Sequence, residues 1–388
     1  MSRAAVSAEL GREIGRWDTG NPGPTLLVTA GVHGNEPAGL EAIGRVLAAL
    51  NSREAPLRGR VLALRGNLGA LAVGSRYLSR DLNRGWSASA IAAIRARPAA
   101  DRSPEDREQL ELIESFLAAE RTATGPVLFV DLHTSSAAGS PFLCLADTID
   151  NRRLGELTGV PVILGIEENL AGASLEWFAD RGIAGFAVEG GQHTSAAAVD
   201  NLEAVVWQLL VRLGMLPGAL VDIERYRARI REAVGTAPSI VEITHRHAIC
   251  AEDAFCMQPD FANFDAVAAG QLLATDRNGD LRAPAARYVM LPLYQELGDD
   301  GFFLARRVGR LRRWLAEWSR WLSLDRLLVL LPGVRRDPDD VDTLLVTPSA
   351  AGPRLVGALH LLGFRKERER SGRRAFSRRR SRVENRRL

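Results

Sequence analysis

The 388-residue sequence predicts an α/β protein. The expected core is a mostly parallel or mixed sheet covered by helices on both faces, with a smaller β-rich second domain and a C-terminal α+β extension. Three observations carry this expectation. Short apolar runs alternate with segments of helical periodicity through the first half. Near Pro217-Gly218 the segments become short and turn-rich, and near residue 309 a tryptophan-rich helical pattern begins. The predicted division is 1–216 for the catalytic α/β domain, 217–308 for the β-rich domain and 309–388 for the extension.

Each element has a local reason. "TLLVTA" (25–30) reads as a buried strand that runs into the glycine-rich corner "GVHGNEPAG" (31–39). "PAGLEAIGRVLAAL" (37–50) opens with proline at a helix start and spaces its apolar residues for one helical face. "RVLALRGN" (60–67) is a second strand. "SPEDREQLELIESFLAAE" (103–120) has a capping-box pattern from Ser103 to Asp106, acids in its first turn and a Leu110-Ile113-Leu117 stripe. It leads to "PVLFVDLH" (126–133), an apolar strand closing on His133. "VPVILGI" (160–166) and "IAGFAVEGG" (183–191) repeat the theme, and a long amphipathic helix covers about 197–213.

In the β-rich stretch, Asn278-Gly279 marks a hairpin turn. Beyond it, Leu311, Trp314, Leu315, Trp318, Trp321 and Leu322 form a helical stripe expected to pack, buried, against the body. The final "RKERERSGRRAFSRRRSRVENRRL" (365–388) carries a charge of +9 and leaves −6 for the rest, within a net +3. Its pattern around Ser371-Gly372 predicts a solvated hairpin or a frayed end, dispensable for chemistry. Dense arginine of this kind gives sequence-independent phosphate affinity, so 365–388 offers nucleic acid only as a secondary alternative to a small-molecule substrate. The segment holds one aromatic residue, Phe376, and no base-reading motif.

Composition narrows the class. Hydrophobic residues make up 46% and charged residues 25%, as in ordinary globular proteins. No apolar run reaches the ~20 residues of a membrane helix, and the start lacks a signal-peptide pattern. Cys144, Cys250 and Cys256 are too few and too irregular for a disulfide framework and read as buried thiols. The expected location is cytoplasmic, with no membrane partner and an oligomeric state that the sequence leaves open.

Chemistry concentrates where strands run into corners. His33 and Glu36 share one corner, His133 closes a second strand and Glu189 a third. In open α/β sheets ligands bind beyond the carboxyl ends of strands, which gathers such groups onto one edge. Two imidazoles and a carboxylate make a His₂Glu set, the three-ligand zinc site that leaves one position for water. An apolar strand ending in glutamate is unusual, because an unpaired buried carboxylate is costly.

These residues lie in a recognisable series. "GVHGNEPAG", "RYLSRDLNRGW" (76–86), "DLHTS" (131–135) and "VEGGQH" (188–193) resemble the succinylglutamate desuccinylase/aspartoacylase family, relatives of the zinc carboxypeptidases that act on N-acyl amino acids. "MLPLYQELGDDGFFL" (290–304) is similar to the β-rich C-terminal domain of its bacterial members, and the resemblance covers roughly 20–308 in motif order. It implies a zinc carboxypeptidase-like fold and hydrolysis of the amide bond of a small N-acyl amino acid. One Zn²⁺ per chain would be held by His33, Glu36 and His133. Glu189 matches the general base, Arg76 the arginine that polarises the scissile carbonyl, and Asn83 with Arg84 the pair that grips the substrate α-carboxylate. Asp81 reads as an orienting residue.

Some features do not carry over. Arg181 is the nearest match to an acyl-binding arginine, at the wrong offset, and Tyr288 and Tyr294 are two candidates for one aromatic hydroxyl. His193 reads as an outer or surface residue, and His245 and His247 as structural. Two other functions compete with deacylation. One is a zinc carboxypeptidase trimming a peptide or peptidoglycan fragment; the other, from a different class, is a nucleic-acid-binding protein acting through the basic tail.

Overall fold

A computed structural model describes residues 10–52, 58–166, 170, 172–370 and 372–379. The first part runs β1 (Glu13–Asp18), β2 (Thr25–Ala30), α1 (Ala38–Asn51), β3 (Arg60–Arg65), α2 (Leu68–Leu71), α3 (Ala88–Ala96), α4 (Pro104–Arg121), β4 (Val127–Ser135), β5 (Phe142–Cys144), α5 (Ile149–Glu156), β6 (Val162–Leu164), α6 (Ser174–Asp180), β7 (Ala184–Gln192) and α7 (Ala196–Arg212). It continues through α8 (Ile223–Val234), β8 (Ile240–Ala248), β9 (Cys256–Met257), β10 (Asp265–Val267), β11 (Leu272–Asp276), β12 (Gly279–Arg282), β13 (Arg287–Met290) and β14 (Asp300–Arg307). The extension holds α9 (Arg310–Trp321), β15 (Val334–Arg336), β16 (Thr343–Val346), α10 (Pro353–Leu361), β17 (Phe364–Arg370) and β18 (Arg373–Arg378).

One 11-stranded sheet, ordered β1-β3-β2-β4-β7-β5-β6-β8-β14-β13-β10, forms the backbone of the molecule. Strands β3, β2, β4 and β7 run parallel. The sheet as a whole is mixed, because β5 runs antiparallel to β7 and β8, β14, β13 and β10 form an antiparallel run. The 136–141 connection after β4 is too short to hold a crossover helix, so β5 must return in the opposite sense.

Alternation along the central strands divides the core between two faces. Leu26, Val28 and Ala30 of β2 pack with Ile43 and Val46 of α1 and with Leu202 and Leu209 of α7. Leu27 and Phe129 point the other way, to Phe116 of α4 and Phe178 of α6, where the Phe129 and Phe178 rings stack at 3.7 Å. Every residue of β2 and β4 is buried, as expected for parallel strands covered on both sides. The start of α4 is the predicted capping box, with Ser103 and Asp106 bonding each other's backbone and Pro104 in the first turn.

Residues 217–308 supply the last four strands of the large sheet and a separate three-stranded sheet, β12-β11-β9. The Asn278-Gly279 hairpin forms between β11 and β12. The extension folds around an antiparallel sheet ordered β15-β16-β18-β17, with Leu344, Val346, Leu359, Phe364 and Phe376 as its core.

Three expectations change. The tryptophan-rich stripe faces outward: Leu311 is 70% exposed and Trp314, Leu315, Trp318 and Leu322 are exposed too. Helix α9 instead turns Ala316 and Ser319 inward, so its small side chains make the close approach; the Trp321 side chain lies outside the described residues. The basic tail is not merely solvated. Phe376 is fully buried, and Arg365 is buried against Asp147 and Glu242. Arg370 pairs with Asp337 and Asp339, Arg374 with Glu367, and Arg378 with Asp325. Residues 371 and 380–388 lie outside the described part. Finally, Cys144 is buried, whereas Cys250 and Cys256 are exposed free thiols.

Candidate active site and metal centre

The corner after β2 requires its glycines for backbone reasons. Gly31 has a positive φ of 69°, and a Cβ on Gly34 would lie 2.2 Å from the Ala70 backbone. The tight corner delivers His33 and Glu36 beside β4, the neighbour of β2 in the sheet. His133 comes from β4 and Glu189 from β7, the next strand along. Both lie inside their strands rather than at the ends, because pairing continues to Ser135 and Gln192.

The side chains converge. His33 Nδ1 is 2.7 Å from Glu36 Oε1 and His133 Nδ1 is 3.1 Å from Glu36 Oε2. The opposite ring nitrogens face other carboxylates. His33 Nε2 lies 3.2 Å from Asp81 Oδ1, and His133 Nε2 lies 3.0 Å from Asp131 Oδ2, close enough for an ion pair but out of line for a hydrogen bond. Asp131 is completely buried and held by the Thr29 hydroxyl. Thr134 N–H donates to Glu36 Oε2 at 3.0 Å.

Asp81 organises three neighbours with one carboxylate. Besides His33, it accepts the Asn83 N–H at 2.8 Å and Arg76 Nη2 at 3.0 Å. Asn83 Oδ1 accepts the Ser174 N–H, which leaves the amide NH₂ of Asn83 to donate. Arg84 reaches Asp300 Oδ2 at 3.5 Å. Asp81 thus touches His33, Arg76 and Asn83 at once, contacts that suit the orienting role expected of it from the sequence.

Electrostatics follow from burial and proximity. Burial opposes ionisation of Glu36, yet His33 and His133 hold its carboxyl well below the usual range. Burial also opposes a charged His133, and Asp131 with Glu36 nonetheless raises it well above the ordinary imidazole value. Glu189 is pushed up to about 8, first by burial and then by the charge of Glu36. A cation held by His33, Glu36 and His133 would oppose that rise.

The donor set fits a divalent metal ion. His33, Glu36 and His133 are all buried, and one ligand atom from each lies within 4.8 Å of the others. Carboxylates behind the imidazoles orient metal-binding histidines and select the nitrogen left for the ion. Glu189 Oε2 and Arg76 Nε are buried polar atoms without a partner among the described residues, an arrangement that points to chemistry at this spot.

One cavity joins these groups. His33, Glu36, His133, Glu189, Arg76, Asn83 and Arg84, all named from the sequence, line it together. His193 lines it too, held between Thr134 Oγ1 at 2.8 Å and Gln295 Oε1 at 3.1 Å. The segment from Leu291 to Asp300 supplies part of the wall. Gln295 has no signal in the sequence, since its place depends on how the last strands fold back. Asp131 has one: it lies two residues before His133 in a strand, hence on the same face.

Other candidates lie elsewhere. Arg181 pairs with Glu120 and sits over the Trp177 ring. The Tyr294 hydroxyl donates to the Gln258 carbonyl, and Tyr288 packs partly buried beside β14; neither lines the cavity. His245 and His247 lie along β8 with Phe302, and the His247 ring stacks on Phe302 at 5.1 Å.

Residues 22–198 match the family model of the succinylglutamate desuccinylase/aspartoacylase catalytic domain. These residues make up just under half of the chain, and over them it is similar to that family. Among curated relatives, it is 38% identical to a succinylglutamate desuccinylase of Burkholderia thailandensis over 117 residues, 29% of this chain. A Burkholderia mallei succinylglutamate desuccinylase is 37% identical over 114 residues, again 29% of this chain. These matches span about a third of the relatives' length, 32% and 31%.

Likeness in fold extends further than the sequence matches. A succinylglutamate desuccinylase from Vibrio cholerae has a TM-score of 0.52 at 17% identity, covering 75% of this chain and 83% of its own. For an ectoine utilization protein from Ruegeria pomeroyi the TM-score is 0.53 at 20% identity, covering 74% and 86%. Murine aminoacylase 3 gives 0.51 at 18% identity, covering 74% and 96%. At these identities the likeness concerns the mixed α/β fold with its large central sheet.

Proposed function

We propose that this protein is a member of the succinylglutamate desuccinylase/aspartoacylase family and a zinc-dependent amidohydrolase that cleaves the amide bond of a small N-acyl amino acid, releasing a carboxylate and a free amino acid. The observation that carries the reading is the buried His33–Glu36–His133 group sharing a cavity with Glu189, Arg76, Asn83 and Arg84. When bound, zinc would act as a Lewis acid, and its N/O donor preferences match this set.

The chain's own residues account for the rest. Asn83 and Arg84 take the substrate α-carboxylate, the guanidinium offering two parallel donors. That contact sets the scissile carbonyl near Arg76, whose charge favours the oxyanion that develops there. Glu189 accepts a proton from the attacking water and returns it to the nitrogen as the C–N bond breaks, a role worth ~10²–10⁴ in rate. Asp81 and Asp131 hold the two imidazoles. The segment 291–300 limits access to the cavity, and we assign 217–308 to a covering domain and 309–388 to a separate extension. The proposed location is the cytoplasm.

The test combines elemental analysis of purified protein with turnover of a panel of N-acyl amino acids and peptides. Zinc near one per chain with turnover of the acyl amino acids supports the reading. Protein without zinc, or turnover of peptides alone, rejects it.

A further inference from the structure

The cavity has one polar region and one apolar wall. Next to Glu189, the register pairs Phe142 with Glu189 and Cys144 with Ala187. Side chains two apart on a strand share a face, so Ala187 and Cys144 continue from Glu189 as an uncharged surface. Cys144 stays a neutral thiol, its ionisation raised well above the ordinary value by burial and by the charge of Glu189. Ile166, Leu170, Leu175, Leu291 and Phe303 extend the wall and belong to the core cluster behind it.

Charge in the cavity is just as uneven. Arg76 and Arg84 are the only arginines or lysines among the described lining residues, against five carboxylates. Arg76 is engaged by Asp81 and lies 3.6 Å from Glu36. Arg84 lies nearest Asp300, which also pairs with Arg246. Lys366 meets Glu176, a lining residue, but does not itself line the cavity. Arg84 with Asn83 can receive one carboxylate. Among the described lining residues no further arginine or lysine is positioned to receive another, and a carboxylate against the Cys144–Leu175 wall would be desolvated without a partner.

We infer that the substrate carries a single carboxylate and an otherwise uncharged, apolar body that rests on the Ala187–Cys144–Leu175 wall. N-acyl amino acids with two or more carboxylates, such as N-acetylaspartate or the tricarboxylate N-succinylglutamate, are poor substrates. The inference rests on the deacylase reading and narrows its substrate class. The apolar portion can be the acyl chain or the amino-acid side chain, because the wall runs from Glu189 to the segment beside Asn83.

The test has two activity arms and one binding arm. In the first, acetyl, butanoyl, hexanoyl and succinyl derivatives of one apolar amino acid are compared; in the second, acetyl derivatives of leucine, phenylalanine, aspartate and glutamate. Monocarboxylates should exceed dicarboxylates by about tenfold or more in kcat/KM, since a buried unpaired charge is at stake. Each methylene placed on the wall should add up to about fourfold, the value of ~0.8 kcal/mol per buried CH₂. Calorimetry provides the binding arm, with hexanoate and N-acetylleucine expected to bind more tightly than succinate and N-acetylaspartate.

Leu170→Arg and Leu175→Arg, both at half-buried positions, should reverse the preference by supplying the missing cation, with thermal unfolding reporting that each variant folds. Better turnover of N-succinyl or N-acetylaspartyl substrates by wild type overturns the inference and leaves the deacylase reading standing. Tighter binding of apolar monocarboxylates without hydrolysis of any acyl amino acid rejects the deacylase reading instead.

Discussion

His133 and Glu189 are cross-strand partners, paired in register on the parallel strands β4 and β7. Residues so paired point to the same side of a sheet, so the imidazole proposed to bind metal and the carboxylate proposed to accept a proton come together without any loop to position them. Glu36 then reaches His133 from the neighbouring corner, at 3.1 Å. A site built on rigid strands holds its geometry more closely than one built on loops.

The ligand assignment predicts that wild-type protein carries about one tightly bound zinc and that His33→Ala carries far less. Elemental analysis after dialysis measures both. Equal zinc in the two proteins would remove His33 from the set.

Glu189→Gln keeps the shape of the side chain and removes the proton acceptor. Metal content and thermal stability should persist while kcat falls by ~10²–10⁴. A near-normal kcat in the metal-loaded variant would assign the base elsewhere.

Arg84→Ala should raise KM about tenfold or more for substrates with a free α-carboxylate, since a charge-assisted hydrogen bond contributes ~1.5–3 kcal/mol. The matching α-amide substrate should lose little. Equal losses for acid and amide would end the carboxylate-clamp assignment.

The basic tail should prove structural as far as Arg379. Phe376 is fully buried in the core of the extension, so Phe376→Ala should cost ~3–5 kcal/mol of that unit's stability. Truncation after Phe364 removes β17 and β18 and should expose the extension's core, visible as aggregation or early thermal unfolding. A truncated protein with unchanged unfolding and kcat/KM would return the tail to the accessory role first expected of it.

Lys366 and Glu176 join the extension to the wall of the cavity. Burial works against Glu176, yet Lys366 and the Gly172 N–H hold its carboxyl below its ordinary value of 4.5. A carboxylate with a depressed folded-state pKa contributes stability above its unfolded value and loses it as pH falls through the folded one. Lys366→Met should therefore unfold at a lower temperature than wild type at pH 7. The gap should narrow as the pH drops below about 4.5. A gap that is constant down to strongly acidic pH would show that packing, not charge, is what Lys366 provides.

The local elements were legible in the sequence because their causes are local. The run 25–30 became β2 without a residue's change, and the Ser103–Asp106 box caps α4 as its spacing requires. The gathering of His33, Glu36 and His133 was legible too, since groups toward the carboxyl ends of strands in an α/β sheet share one edge. Tertiary structure decided what depends on distant partners. The order β2-β4-β7 made His33, His133 and Glu189 neighbours across more than 150 residues, and the fold-back of 291–300 brought Gln295 and Asp300 to the cavity. Helical periodicity identified an apolar stripe on α9 but not which face would pack, and the small residues Ala316 and Ser319 made the closer contact. A charge count made the tail look solvated, yet its arginines found acids on segments far away in sequence, such as Asp147 and Glu242. Periodicity and capping are set within a few residues by backbone geometry; register, sheet order and charge partners are set by which distant surfaces exclude water together.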